Sequence, residues 1–387
     1  MSEEREMQIM YDILIKNAQQ AGGCSIDIAL QGNKIAAVGD LAGSLAKQTV
    51  DLDHDVFVSA GWIDGHTHCY PNSPIYNDHP DNVGVSGGVT TVIDAGSTGA
   101  NDVDDFAQLA AQCTTHVRAL LNISKIGLLR QNELADANDI DLDSAKQALL
   151  RHPEFIVGLK ARMSGSVVGH NGLMPLQAAK ALQQQCGCVP LMVHVGNAPP
   201  DLDEIVALLG KGDILTHCFN GKPNRILDCH GEIKCSVQQA RARGMKLDIG
   251  HGSASFSFEV AEQAIAQGIL PDTISSDIYC KNRLNGPVYG LAHLMSMFFT
   301  LGLSHEQIIE RVTSQAAQAL RLAKKGHLIA GYDADLTLYT IDKASVNYTD
   351  THHQHRTGQQ RFTPLAAIID GKLVLTEQGQ QHYVFHS

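Results

Sequence analysis

From about residue 56 to residue 277, short apolar runs alternate with longer stretches of helical periodicity. That rhythm confines the chain to an α/β architecture with a parallel sheet. The runs fall at 56–63, 90–94, 117–123, 155–160, 190–195, 213–217, 246–249 and 273–277. Between them 172–185, 201–209 and 256–267 read as helices, with Asp201 and Ser304 placed as N-caps. Eight β-then-α units of this length predict a (β/α)8 TIM barrel. A doubly wound open sheet is the rival, since counting strands separates the two poorly.

The flanks follow a different pattern. Residues 11–57 carry short β-prone runs, and Gly32-Asn33 between two of them signals a hairpin. A second such segment closes the chain, with Asp335-Leu336-Thr337-Leu338-Tyr339 and Ala366-Ala367-Ile368-Ile369 before Asp370-Gly371. The two ends are expected to pair into a small β-sandwich module. Residues 1–57 and 326–387 then form the module and 58–325 the barrel, a division that 387 residues can fill. The His-rich piece 351–355 reads as a solvated turn.

Composition excludes some classes. A net charge of −12 argues against a sequence-independent nucleic-acid binder, which needs Lys and Arg to neutralise phosphates. No apolar run is long enough to span a bilayer, and MSEEREMQIM lacks the basic-then-apolar order of a signal peptide. Nine cysteines, an odd number scattered singly, fit reduced thiols. Cys186-Gly-Cys188 is too tight for a CxxC pair. The chain is expected to be soluble and cytoplasmic.

Six residues stand at or near the ends of candidate strands, where barrel enzymes place their chemistry. In Gly61-Trp62-Ile63-Asp64-Gly65-His66-Thr67-His68 the strand period of two points both imidazoles to one face, where they can bind one metal. A bare HxH also arises from packing. His194 ends Pro190-Leu191-Met192-Val193-His194, His217 ends Asp213-Ile214-Leu215-Thr216-His217, and Asp277 ends Thr273-Ile274-Ser275-Ser276-Asp277. Each is a metal-ligand type directly after an apolar run, and the repetition favours a metal site over core histidines. Lys160 ends Phe155-Ile156-Val157-Gly158-Leu159-Lys160. A buried neutral amine can add carbon dioxide and become a carbamate, an anionic donor able to bridge two cations. The alternative is a lysine that pairs with a carboxylate or the substrate.

GWIDGHTH, GLKAR, VHVG, LTHCFNG and SSDIY, in this order, resemble the amidohydrolase superfamily over nearly the whole chain, including Gly331-Tyr332-Asp333-Ala334-Asp335-Leu336. The resemblance implies a binuclear centre held by His66, His68, a carboxylated Lys160, His194, His217 and Asp277. Gly87-Gly88-Val89-Thr90-Thr91-Val92-Ile93-Asp94-Ala95-Gly96-Ser97 and Lys160-Ala161-Arg162-Met163-Ser164 narrow it to the amidohydrolase/deacetylase, dihydroorotase-like branch. That branch implies hydrolysis of an acyl amide or ester in a small-molecule acylated substrate, two divalent ions (zinc expected), and a homo-oligomer. His66, His68 and Asp277 would hold one metal, His194 and His217 the other, with Asp277 as general base and then acid.

Arg162 and Ser164 can reach a substrate carboxylate, although Arg162 can equally pair with an internal acid. Tyr279, Lys281 and Asn282 follow Asp277 and are candidates for the pocket, as are His170 and Asn171 after the fourth run. A cyclic-amide hydrolase of dihydroorotase or hydantoinase type uses the same ligands and stays open. A mononuclear deaminase fits less well with Lys160 in the bridging position, and a catalytically inactive assembly protein fits less well with all six positions filled.

Overall fold

The computed structural model describes residues 10–52 and 55–382. Residues 1–9 and 383–387, the outermost parts of the two ends of the expected module, and residues 53–54 lie outside the described residues.

The middle of the chain builds a seven-stranded parallel sheet. In spatial order its strands are Lys246–Leu247, Asp213–Thr216, Leu191–Val195, Ile156–Met163, His116–Asn122, Val89–Ala95 and Trp62–Thr67. Trp62–Thr67 and Val89–Ala95 are buried at every position, as strands covered on both faces must be. The eighth run, 273–277, forms no regular strand, yet it touches both edges of the sheet. Thr273 bridges Asp248 and Ile278 bridges Thr67, both in parallel sense. Asp277 N donates to His66 O at 2.7 Å and His68 N to Ile278 O at 2.8 Å.

One face of these strands carries a cluster of Ile63, Ile93, Leu120, Met192 and Ile214, closed by Ala316, Ala317 and Leu320. Two residues beyond Met192 on that face stands His194, so the apolar plug and the chemistry share one side of the sheet. A larger core packs the opposite face against the helices. Leu202–Ala207 and His305–Val312 start on full capping boxes, Asp201 with Glu204 and Ser304 with Gln307.

The run at 56–63 divides. Phe57–Ala60 pairs antiparallel with Leu336–Thr349, while Trp62–Thr67 enters the parallel sheet. Gly61 makes the switch possible, because a Cβ there would stand 2.2 Å from Thr90 Oγ1. The flanking module is one hydrogen-bonded mixed sheet of eight strands. Met10–Gln19 joins its parts: Ser25–Gln31 pairs along one edge, Leu45–Asp51 along the other, and Gln19 meets Phe57. Strands from both ends of the chain share a core that includes Ile13, Ile28, Val58, Leu336 and Ile368. The Gly32-Asn33 hairpin forms, with Gln31 opposite Lys34.

Leu336–Thr349 and His355–Ile369 make a long hairpin whose tip is the His-rich turn. The tip is exposed but not simply solvated. Asp350 Oδ2 accepts from Phe258 N at 2.9 Å, Thr351 Oγ1 donates to Phe256 O at 2.6 Å, and His352 lies against Gly221. Among the described residues, no helix is long and apolar enough to cross a membrane.

Candidate metal centre and cleft

The strand ends bring His66, His68, Lys160, His194, His217 and Asp277 into one cleft of about 190 Å³. Lys160 Nζ lies 3.0 Å from His66 Nε2. Asp277 Oδ1 lies 3.4 Å from His66 Nε2 and 3.2 Å from His68 Nε2. His194 Nδ1 lies 2.8 Å from His217 Nε2. Ligand atoms of His66, His217 and Asp277 all fall within 4.8 Å of one another.

The outer nitrogens are fixed from behind. Thr216 Oγ1 donates to Asp248 Oδ2 at 2.7 Å, so toward His66 Nδ1, 3.0 Å away, it acts as acceptor. That leaves His66 Nε2 as a lone pair aimed into the cleft. His217 Nδ1 donates to Gly250 O at 2.6 Å, with the same result. His68 Nδ1 contacts Ser97 Oγ at 2.9 Å. Asp248 itself is buried and takes hydroxyls from Thr273, Ser275 and Thr216.

Electrostatics favour cation binding over protonation. Burial, reinforced by Lys160, holds the His66 imidazole well below its usual pKa. Burial and the neighbouring His217 do the same for His194, and burial brings His217 to about 4. Burial also pushes the Lys160 ammonium down to about 7. For Asp277 burial works against ionisation, but His66 and His68 outweigh it and keep the carboxyl well below the usual range. Neutral imidazoles at His66, His194 and His217, an ionised carboxylate and a deprotonatable amine form a donor set suited to a divalent cation.

Backbone geometry also shapes the site. His217 and Asp277 have φ of 64° and 53°, left-handed values that cost a side-chain-bearing residue about 1–3 kcal/mol. Gly250 and Gly252 wrap the candidate ligands closely: a Cβ at Gly250 would stand 2.9 Å from both His217 Nδ1 and His66 Nδ1. Gly96, at φ +85°, makes room for the Lys160 stem, whose Cγ lies 2.7 Å from where a Cβ would be. Asp64 accepts from the Ser276 N and hydroxyl and from His66 N, tying the strand of His66 to the segment of Asp277. Burial raises its carboxyl to about 7.

The outer residues sort differently from expectation. Arg162 and Ser164 line the cleft, but Arg162 Nη1 is held by both oxygens of the buried Glu133, at 3.2 and 3.0 Å, so the internal pairing forms. Ser164 Oγ accepts from Asn197 N at 3.0 Å. Tyr279 lines the cleft, with its hydroxyl 3.1 Å from Ser253 Oγ and its ring 4.8 Å from that of Tyr76. Asn282 does not line it. Its amide is used by the backbone, accepting from Tyr279 N at 2.8 Å and donating to Asp277 O at 3.0 Å. The expected substrate contact is therefore a brace for the Asp277 turn. Lys281, His170 and Asn171 also stand outside the described lining, and Asn171 donates to Leu134 O at 2.7 Å. Tyr76 and Lys222 line the cleft and were not anticipated; burial lowers the Lys222 ammonium pKa.

A deacetylase of Enterococcus faecalis is 48% identical over 94% of this chain and 99% of its own length. A deacetylase of Agrobacterium fabrum is 35% identical over 96% of this chain and 94% of its own. A solved structure described as an adenine deaminase superposes with TM-score 0.93 at 48% identity, covering 95% of this chain and 100% of the other. Another, described as a dihydroorotase, gives 0.84 at 35%, covering 94% and 98%. Residues 328–374 match the family described as a deacetylase-like composite domain. The chain belongs to the amidohydrolase superfamily, in its deacetylase branch.

Proposed function

We propose that the chain hydrolyses an acyl amide or ester bond of a small acylated molecule, in a deacetylase-like reaction at a binuclear metal centre. The observation that carries this reading is the convergence of four imidazoles, Asp277 and the buried amine of Lys160 in one cleft. The architecture in this reading is a (β/α)8 barrel in which 273–278 fills the eighth position, supported by its bridges to both sheet edges.

His66, His68 and Asp277 would hold one cation, and His194 and His217 the other. Lys160, neutral through burial, would add carbon dioxide with loss of one proton and stand between them as a carbamate. Two divalent cations, zinc in our reading, would polarise the scissile carbonyl and make a water acidic enough to ionise near neutral pH. Asp277, kept ionised by His66 and His68, takes the proton of the attacking water and returns it to the leaving nitrogen or oxygen. Tyr76 and Tyr279 flank the cleft and would keep bulk water from the leaving group.

A cyclic-amide hydrolase is the second reading, favoured by the dihydroorotase description of the structure 35% identical to this chain. The test is metal content per chain of wild type and Lys160→Ala, followed by a substrate panel. The panel holds acylated amino acids, acyl hydroxy acids, cyclic ureides and adenine. About two zincs in wild type, falling sharply in the variant, with turnover of acyl substrates supports the proposal. One metal in both proteins, or turnover of adenine alone, overturns it.

A further inference from the structure

Away from the metal cleft, this acidic chain gathers cations around a second cavity. Its net charge is −12, yet the stretch from Arg311 to Tyr332 carries Arg321, Lys324, Lys325 and His327 and not one Asp or Glu. Those four side chains and Tyr332 wall a cavity of about 540 Å³, and no carboxylate stands among its described lining residues. The cavity lies at the N-terminal ends of the parallel strands. Arg321 Nη1 reaches Gly187 O, just ahead of Leu191–Val195, and Lys325 meets His116, the first residue of His116–Asn122. Ala317 lines the cavity and belongs to the apolar plug, which therefore stands between this site and the metal cleft.

The acids nearby are already engaged. Asp335 and Asp333 take Lys325, Asp333 also takes Lys34 at 2.5 Å, and Glu310, just before the stretch, accepts from Gln315 at 3.4 Å. Among the described residues, Arg321 and Lys324 make no ion pair. Arg321 is steadied by the Gly187 carbonyl at 3.4 Å, and Lys324 Nζ stands 5.2 Å from the centre of the Tyr332 ring. His327 meets the edge of that same ring at 5.8 Å. Arg321 and Lys324 have φ of 53° and 63°, left-handed values that persist where the surroundings fix them. Asp333 N donates to Lys324 O at 3.0 Å, and Arg321 N to Gln318 O at 3.3 Å. Like charges around one concavity repel each other, and an anion seated between them removes that repulsion.

We propose that this cavity binds a small phosphate-bearing anion. Arg321 supplies the planar fork, Lys324 the point charge and His327 a ring nitrogen. A phosphate group, with close to two negative charges, answers two unpaired cations where one carboxylate answers only one. The net negative charge of the chain selects a small anion over an extended one.

Inorganic phosphate is titrated into the zinc-loaded full chain by calorimetry, with acetate at equal ionic strength as the comparison. Phosphate binds saturably and at least tenfold more tightly than acetate. Arg321→Asn and Lys324→Asn each weaken phosphate at least tenfold, the size expected for a charged hydrogen bond. Asparagine tolerates the left-handed backbone at both positions, so these variants remove charge without adding strain. Lys324→Arg retains most of the affinity. Should Arg321→Asn fail to fold, the two Lys324 variants decide the matter. No saturable binding, or acetate as tight as phosphate, overturns the assignment. Phosphate binding left unchanged by both asparagine variants also overturns it, since the zinc centre would then be the site.

Discussion

Gly252 approaches Asp277 so closely that a Cβ at position 252 would stand 2.1 Å from Asp277 Oδ2, and its φ is +54°. Gly252→Ala is expected to displace the carboxylate, lower turnover by an order of magnitude or more, and cost about 1–3 kcal/mol through overpacking and strain. Gly268, at φ +78° with open space around it, is the control. Its alanine variant should lose about 1 kcal/mol from strain alone and keep full metal content. Equal turnover in the two variants would show that the contact with Asp277 does not matter.

Asp277→Asn keeps the shape of the side chain and removes the proton acceptor. Turnover should fall by about 100-fold or more, with KM changed little. Full turnover in this variant would remove Asp277 from proton transfer.

The Lys160 amine, brought to about 7 by burial, is substantially neutral at pH 7 and able to react with carbon dioxide. Metal-free protein reconstituted with zinc in bicarbonate-containing buffer at pH 7.5 (~7–8, near the Lys160 value) should load more metal than in buffer purged of carbon dioxide. Lys160→Ala should show no such difference. Elemental analysis of the four samples decides the matter.

Asn282→Ala removes the brace between Tyr279 N and Asp277 O. Two lost hydrogen bonds predict a destabilisation of about 1–3 kcal/mol. Because the amide faces backbone, the loss in kcat should exceed any change in KM, as read from steady-state kinetics. A rise in KM alone would return Asn282 to the substrate pocket.

At the opposite end of the parallel strands, Asp335 lies against His116 and Lys325. Burial opposes its charge, but His116 and Lys325 prevail and bring its carboxyl to about 2. A depressed carboxyl contributes stability that is present above pH 4 (~3.9, the unfolded value) and lost as pH falls toward the folded value. His116, raised by Asp335 against the effect of burial, contributes below its ordinary 6.5 and loses that contribution as pH rises through its folded value. Asp335→Asn should cost about 3 kcal/mol near pH 6 (~5–7, between the two windows), by removing the buried carboxylate that lies against both Lys325 and His116 and leaving Lys325 only Asp333, 3.4 Å away. It should also flatten the acid limb of a denaturation profile, and an unchanged limb would show that other groups set it.

The six candidate ligands are legible because each stands at or near the end of an apolar run as a metal-binding residue type, a local signal that survives without coordinates. Gly250, Gly252 and Gly96 gave no such signal, since what makes them necessary is the approach of Asp277, His217 and Lys160 from other strands. Asn282 was misplaced because proximity in sequence to Asp277 says nothing about which way an amide turns. The run at 56–63 looked continuous because Gly61 changes sheets without changing the apolar character of its neighbours. The eighth run fell short of a regular strand, its pairing shared between Asp248 on one side and Thr67 on the other.

The pairing of Phe57–Ala60 with Leu336–Thr349 also has a consequence for how the chain is made. Phe57–Ala60 leaves the ribosome well before its partner, and until residue 336 emerges that edge has free N–H and C=O groups. The final strands therefore act as a latch fitted last, and translation that stops short of them would release a chain with a sheet edge open to pairing with its neighbours.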